Sequence, residues 1–244
     1  MKFLAINSFL STCLVYACFV VLPGTVRAVE NFESLKVLEM VLPKYPMKMT
    51  FQGVYEGSAR VLIRVDEGGK LIDVFQESYT HPEFGGLADE YVRLWTFQPA
   101  KLNGEPVASI KPVDFNFDDR RGVYSLGIME TVASGYNLGR FAKSKQVCSV
   151  KDLDHGLQPL EMRQPPFPKD FYETDIEGLA TVIFYIDESG KTRMPYLAEQ
   201  SHLRFGQAAL LAVEHWRFKP PLLKGEPVSV LVRQVFTFSE TARK

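Results

Sequence analysis

The sequence predicts an α+β fold built twice, and three observations carry that prediction. The chain repeats itself at an offset of 121 residues. Each copy holds a stretch with the two-residue period of a half-buried strand, and each follows it with an aromatic and apolar stripe at helical spacing. Between 56–117 and 177–238 the copies align without a gap, with 23 of 62 positions identical. The shared positions include Asp66-Glu67 with Gly69-Lys70 against Asp187-Glu188 with Gly190-Lys191. They also include His81 against His202, Trp95, Phe97 and Pro99 against Trp216, Phe218 and Pro220, and Gly104-Glu105-Pro106-Val107 against Gly225-Glu226-Pro227-Val228. Chance does not place both tryptophans and two such four-residue runs in register.

Taken in order, each copy opens on Tyr45-Pro46 or, displaced by one residue, Phe167-Pro168, a segment that starts a short helix. Ala59, Val61, Ile63 and Val65 then alternate with Ser58, Arg60, Leu62 and Arg64, as Ala180, Val182, Phe184 and Ile186 do in the second copy; this is strand periodicity. Asp66 to Gly69 and Asp187 to Gly190 read as hairpin turns, where Asp bonds locally and Gly takes positive φ. Second strands follow near 70–78 and 191–199. Thr80 with Glu83 resembles a capping box, with Pro82 tolerated in the first turn, and Ser201 stands ready to cap the second helix. Phe84, Ala88, Val92 or Tyr91, and Trp95 line one helical face, as do Phe205, Ala209, Val213 and Trp216. A Gly-Glu-Pro turn leads into a last strand ending at Phe115 and Phe117, or at Phe236 and Phe238. One copy is thus a small antiparallel three-stranded sheet with packed helices, of αββαβ type, over 35–119 and again over 155–240. The intervening 120–154 reads as a connector. Leu126, Met129, Val132 or Ala133, and Tyr136 recur at helical spacing, which predicts a helix over 122–143.

Residues 1–28 read as a signal peptide. Lys2 precedes an apolar run from Cys13 to Leu22, Pro23-Gly24 breaks it, and Val26-Arg27-Ala28 supplies a cleavage site, with the mature chain starting at Val29. An uncleaved anchor over 3–22 and a lipid on Cys18 are the competing readings. Export with cleavage leaves Cys148 as the single thiol and therefore no internal disulfide. Cys148 reads as an inert residue in preference to an intermolecular bridge.

Twenty-eight Lys and Arg against 29 Asp and Glu leave a net charge of -1, too little positive charge to neutralise a phosphate backbone, so nucleic acid is excluded as a partner. Catalytic patterns are equally scarce. Gly69-Lys70 and Gly190-Lys191 resemble the end of a phosphate loop, but the upstream glycine falls on Arg64 and Tyr185. His81, His155, His202 and His215 form no zinc-like spacing with Cys148, and no nucleophile motif is present. The expectation is no enzyme, no cofactor and no metal, with His81 and His202 as polar residues beside helix caps.

With these residues in place the pattern resembles the C-terminal domain of TonB-type energy transducers, present twice. The resemblance rests on Tyr45-Pro46, Gly57 to Gly69, Trp95 to Pro99 and Gly104 to Val107, and on their second-copy counterparts, with Phe167 in place of Tyr. It implies a Gram-negative periplasmic protein whose sheet edge pairs with a short extended segment of an outer-membrane receptor. Two transducer features are missing: residues 1–28 contain no His, and no Pro-rich spacer lies between 29 and the first domain. The expected function is a periplasmic adaptor that binds extended segments of envelope or outer-membrane proteins by strand addition. A membrane-anchored transducer and a self-associating envelope protein, paired as a homodimer through its sheet edges, remain alternatives. The resemblance points to the last strands, 107–117 and 228–238, as acceptor edges, with Tyr45, Pro46, Phe167, Pro168, Val228, Val230 and Val232 as candidate partner-binding residues. Pro112 interrupts that strand in copy one alone and removes a ladder donor, which makes copy two the better acceptor.

Overall fold

The computed structural model describes residues 31–120, 122–125 and 145–239. The expected signal peptide, and the part of the expected connecting helix over 126–143, lie outside the described residues.

Each copy builds its sheet from three long strands, here called leading, return and closing in chain order. In copy one the leading strand Glu56–Val65 lies between the return strand Leu71–Tyr79 and the closing strand Ser109–Asp118, antiparallel to both. In copy two the leading strand Gly178–Ile186 lies between Thr192–Gln200 and Val230–Phe238 in the same way. The registers are equivalent: Leu62 faces Pro112, and Ile183 faces Arg233. Helices Pro82–Val92 and Leu203–Glu214 cross the inner faces. Their apolar stripes are buried as the spacing predicts, with Phe84, Ala88 and Val92 in one and Phe205, Ala209 and Val213 in the other. Phe84 stacks on Phe117 at 4.5 Å between ring centroids, and Phe205 on Phe238 at 4.7 Å. Gly57 and Gly178 recur in the repeat because a Cβ there would collide with the ring of Phe84 or Phe205.

Each Trp also fastens the segment that opens its copy. Trp95 Nε1 donates to the Val41 carbonyl at 2.7 Å, and Trp216 Nε1 to the Arg163 carbonyl at 2.9 Å. Beside these bonds Lys36–Glu39 pairs with Thr96–Gln98, and Pro159–Glu161 with Arg217–Phe218. Further upstream, Phe32–Glu33 joins the hairpin of Ala100–Leu102 and Glu105–Val107. The copy-two counterpart is a side-chain clamp: the Asp154 carboxylate accepts from Lys224 N and Gly225 N, both at 2.7 Å, and these bonds hold it below the usual carboxylate range.

The fold is α+β, and four expectations need correction. The sheets have four strands, not three: Gly122–Ser125 adds to the closing strand of copy one, and Cys148–Ser149 to that of copy two. Gly122–Ser125 is therefore strand where a helix over 122–143 was expected. Asp118 Oδ1 accepts from Arg120 N, Gly122 takes φ +83° and Gly122 pairs with Asp118, so the chain turns back on itself directly after the closing strand. The first helix, Met47–Phe51 in copy one, is reduced to a single 3-10 turn, Lys169–Phe171, in copy two, so the full αββαβ order is met only in copy one. Finally, the caps are the histidines. His81 Nδ1 accepts from Glu83 N and His202 Nδ1 from Arg204 N, each at 3.2 Å. Thr80 and Ser201 are drawn away to clasp the leading strands, accepting from Ser58 N at 2.9 Å and Leu179 N at 3.0 Å.

The outer faces of the two sheets meet. Leu62 and Phe75 from copy one and Tyr185 and Met194 from copy two form a buried cluster, with Ile110 and Val147 partly buried against it. Phe75 and Tyr185 lie 4.9 Å apart, and Tyr185 Oη donates to Glu77 at 2.7 Å. Burial and that carboxylate push the Tyr185 hydroxyl far above its ordinary pKa, so it stays a donor. Arg193 forks onto the Asp73 carboxylate and also donates to the Val74 carbonyl at 2.8 Å; Arg64 pairs with Glu214 at 2.8 Å.

Candidate functional site

A sheet edge presents unpaired N–H and C=O groups, and proteins ordinarily blunt or cover such edges. Two sheets give four edges here, and three of them are managed. The return edge of copy one carries Arg193 on the Val74 carbonyl, and Lys145 exchanges two backbone bonds with Tyr79, at 2.9 and 3.1 Å. The return edge of copy two is broken by Pro195 and by a register shift beside Met194, whose φ is +48°. The closing strand of copy one is paired over Phe115–Asp118 by Gly122–Ser125, which leaves only a four-residue strand as the sheet edge there, a short edge of the kind that blunts further pairing.

What remains of that third edge is disarmed by Pro112. Proline has no N–H, yet Pro112 continues the ladder opposite Leu62, so its nitrogen faces away from the leading strand. Residues in step with it, Ile110 and Asp114, turn their peptide groups to the same outer edge, with a missing donor between them. The equivalent register in copy two places the outward peptide groups at Leu231, Arg233, Val235 and Thr237. Cys148–Ser149 covers only Val230 and Leu231. From Val232 to Phe238 no described strand pairs on the outer side. Among the described residues the fourth edge is open from Val232 to Phe238.

Its side chains are built for solvent or for a partner. Leu231, Arg233, Val235 and Thr237 are exposed, whereas Val230, Phe236 and Phe238 are buried toward the helix. Arg233 reaches Glu199 at 3.3 Å with both side chains about 60% exposed, which makes it a weak pair. Gln234 Nε2 donates to the Val235 carbonyl at 2.9 Å, occupying one acceptor of the edge.

The family can now be read from sequence and geometry together. The chain matches the family described as Gram-negative bacterial TonB protein C-terminal twice, over 41–118 and 163–239. It belongs to the TonB C-terminal family. The two matched segments are the two copies of the TonB C-terminal domain, and together they take in well over half of the chain. No curated protein matches it.

Within the TonB C-terminal copies, the expected site residues separate into two groups. Tyr45, Pro46, Phe167 and Pro168 lie on the helix side. Tyr45 Oη donates to the Val54 carbonyl at 2.6 Å, and burial, aided by Asp119 and Asp118, pushes its pKa up to about 12. Phe167 packs 5.8 Å from Phe205, and Pro46 and Pro168 precede the first helix and its 3-10 counterpart. None of the four joins the open edge. Val230 and Val232 are on the closing strand, but their peptide groups pair with Phe184 and Ile186 and their side chains face the core. Val228 precedes the strand, its N–H donating to the Pro221 carbonyl at 2.9 Å. Arg233, Val235 and Thr237 alternate with Val230 and Val232 and carry the outward peptide groups; they are the residues between the buried Phe236 and Phe238 and their inward neighbours.

Two cavities lie elsewhere. A polar one of about 420 Å³ between the copies includes Arg93, Lys145, Asp187 and Arg193, and each of these charges is paired. An apolar one of about 430 Å³ lies under Leu157, Pro220 and Pro227. Among the described residues no group of three His, Cys, Asp or Glu could hold a metal ion, and no helix is long and apolar enough to cross a membrane.

Proposed function

We propose that the chain is a non-enzymatic periplasmic adaptor that holds an extended segment of an envelope or outer-membrane protein by strand addition to the closing strand of copy two. The supporting observation is the inequality of the edges: three are covered or broken, and one offers regular outward groups at Arg233, Val235 and Thr237. Membership in the TonB C-terminal family supports a protein partner in a Gram-negative envelope. The near-neutral charge suits a partner held by main-chain pairing. Copy one then serves as a support, packed against the outer face of copy two and presenting only the four-residue edge of Gly122–Ser125 and the proline-interrupted start of its closing strand.

Photocrosslinking from Thr237 in intact cells, with proline placed at each edge in turn, tests this. Val235→Pro removes an outward donor and is expected to abolish partner capture, whereas Ile110→Pro is expected to leave it intact. Capture that survives Val235→Pro and is lost with Ile110→Pro sinks the assignment.

A further inference from the structure

The segment that joins the two copies supplies a cover for each closing edge, and the two covers differ in how firmly they are held. Gly122–Ser125 is antiparallel, pairs at four positions beginning with Gly122 on Asp118, and packs Val123 against the core. Cys148–Ser149 is parallel and pairs at two positions, and its Cys148 N–H donates to the Ser229 carbonyl at 2.9 Å. The chain then turns away at once into the 3-10 turn Val150–Asp152, whose capping bonds between Ser149 and Asp152 are exposed. Parallel pairing is the weaker kind, and two positions give it little cooperativity.

Firm moorings lie on either side of this short contact. Upstream, Lys145 holds Tyr79 through two backbone bonds and Glu188 through an ion pair at 2.9 Å, and Val147 rests against the cluster between the copies. Downstream, Asp154 grips Lys224 and Gly225. The stretch between can lift as a loop without unravelling either copy. Beside the cover, Ser229 Oγ is buried and has no hydrogen-bond partner among the described residues, as is the case for Ser109 Oγ at the start of the copy-one closing strand. The Ser229 and Leu231 peptide groups are in step with those of Arg233, Val235 and Thr237, so the covered start and the open remainder form one continuous ladder.

We propose that Cys148–Ser149 is a displaceable cover, an intramolecular strand that partner segments must exchange with to use the whole closing edge of copy two. This rests on the reading of that edge as a strand acceptor. A segment spanning only Arg233 to Thr237 pairs beside the cover; a longer one lifts it. The cover therefore selects for length and makes occupancy visible at Cys148, whose thiol is half-buried and pushed up in pKa by burial and by Asp152.

The test uses the full chain and a synthetic nine-residue peptide of alternating Thr and Val with lysines at both ends. Peptide binding is followed by anisotropy, and maleimide labelling of Cys148 at pH 8 by mass spectrometry of its own fragment. Labelling is expected to be slow in the free chain and to rise about 10-fold at saturating peptide, as the covered population falls. Cys148→Pro, which removes the N–H given to Ser229, and Asp152→Ala, which loosens the adjoining turn, are each expected to tighten peptide binding about 3-fold or more. If the peptide binds but neither the labelling rate nor the two variants' affinities change, the cover is overturned and strand addition stands. If the peptide fails to bind, or binds Val235→Pro as well as the parent chain, the acceptor reading falls and the cover with it.

Discussion

Phe84 and Phe205 occupy equivalent places in the two copies, each in the first turn of a histidine-capped helix and stacked on the last aromatic residue of its closing strand. A short distance away the likeness ends. In the segment before the leading strand, copy one exposes Met47 at 72% and Phe51 at 85%, where copy two has Lys169 and Glu173. Between them Met49 fills the core in copy one and Phe171 takes that place in copy two, packed 5.0 Å from Phe205. The closing strands part in the same manner: one is closed off by a hairpin strand and a proline, the other left open. Duplication preserved what a core of about 80 residues cannot lose, since a domain this small has little burial to spare. It left edges free to diverge, and the copies differ most at the edges of their sheets.

That comparison is most sharply tested at the cores. Phe84→Ala and Phe205→Ala each delete a fully buried ring and are expected to cost about 3–5 kcal/mol in denaturant unfolding. Similar costs show equivalent cores; a cost confined to one copy breaks the equivalence. Next comes the contact between the copies. Arg193→Ala removes the fork on Asp73 and the bond to Val74, and, because both side chains keep some solvent contact, the expected loss is about 1–2 kcal/mol. Calorimetry is expected to resolve one unfolding transition into two. Smaller again are the caps: His81→Ala and His202→Ala should each cost about 1 kcal/mol and leave the other copy's helix unchanged. Last is acid. Burial raises the Asp187 pKa, but bonds from Ser189 and Lys191 and the nearby Arg193 outweigh it and hold the group below the ordinary carboxylate range. Its contribution is present above the unfolded carboxylate value of about 4 and is lost as pH falls through the lower folded value. Urea midpoints for Asp187→Asn should therefore fall less steeply with acidification than those of the parent chain.

Much of this fold is legible in the sequence because its determinants are local or repeated. Strand alternation, the Asp-containing turns and the helical stripes each sit within a dozen residues, and the second copy confirms the first. The errors arise where a distant group wins. Thr80 and Ser201 are better capping residues than His by intrinsic preference, but the leading strand claims both hydroxyls, and nothing near residue 80 announces Ser58. The fourth strands come from the connector, whose apolar spacing favours a helix while Gly122 already marks a hairpin. The difference between the closing strands is legible in part: Pro112 marks the one with an interrupted outer ladder, whereas which peptide groups of the other face outward depends on its pairing register with Gly178–Ile186.

The two indole bonds have a spectroscopic consequence. Each copy holds one Trp, buried against its own closing-strand phenylalanine and bonded to the carbonyl of its own opening segment. Trp95→Phe and Trp216→Phe therefore yield chains whose remaining fluorescence comes from one copy alone. Emission from Trp216 follows copy two and emission from Trp95 follows copy one, so the order in which the copies come apart can be read by comparing the two variants without adding a label.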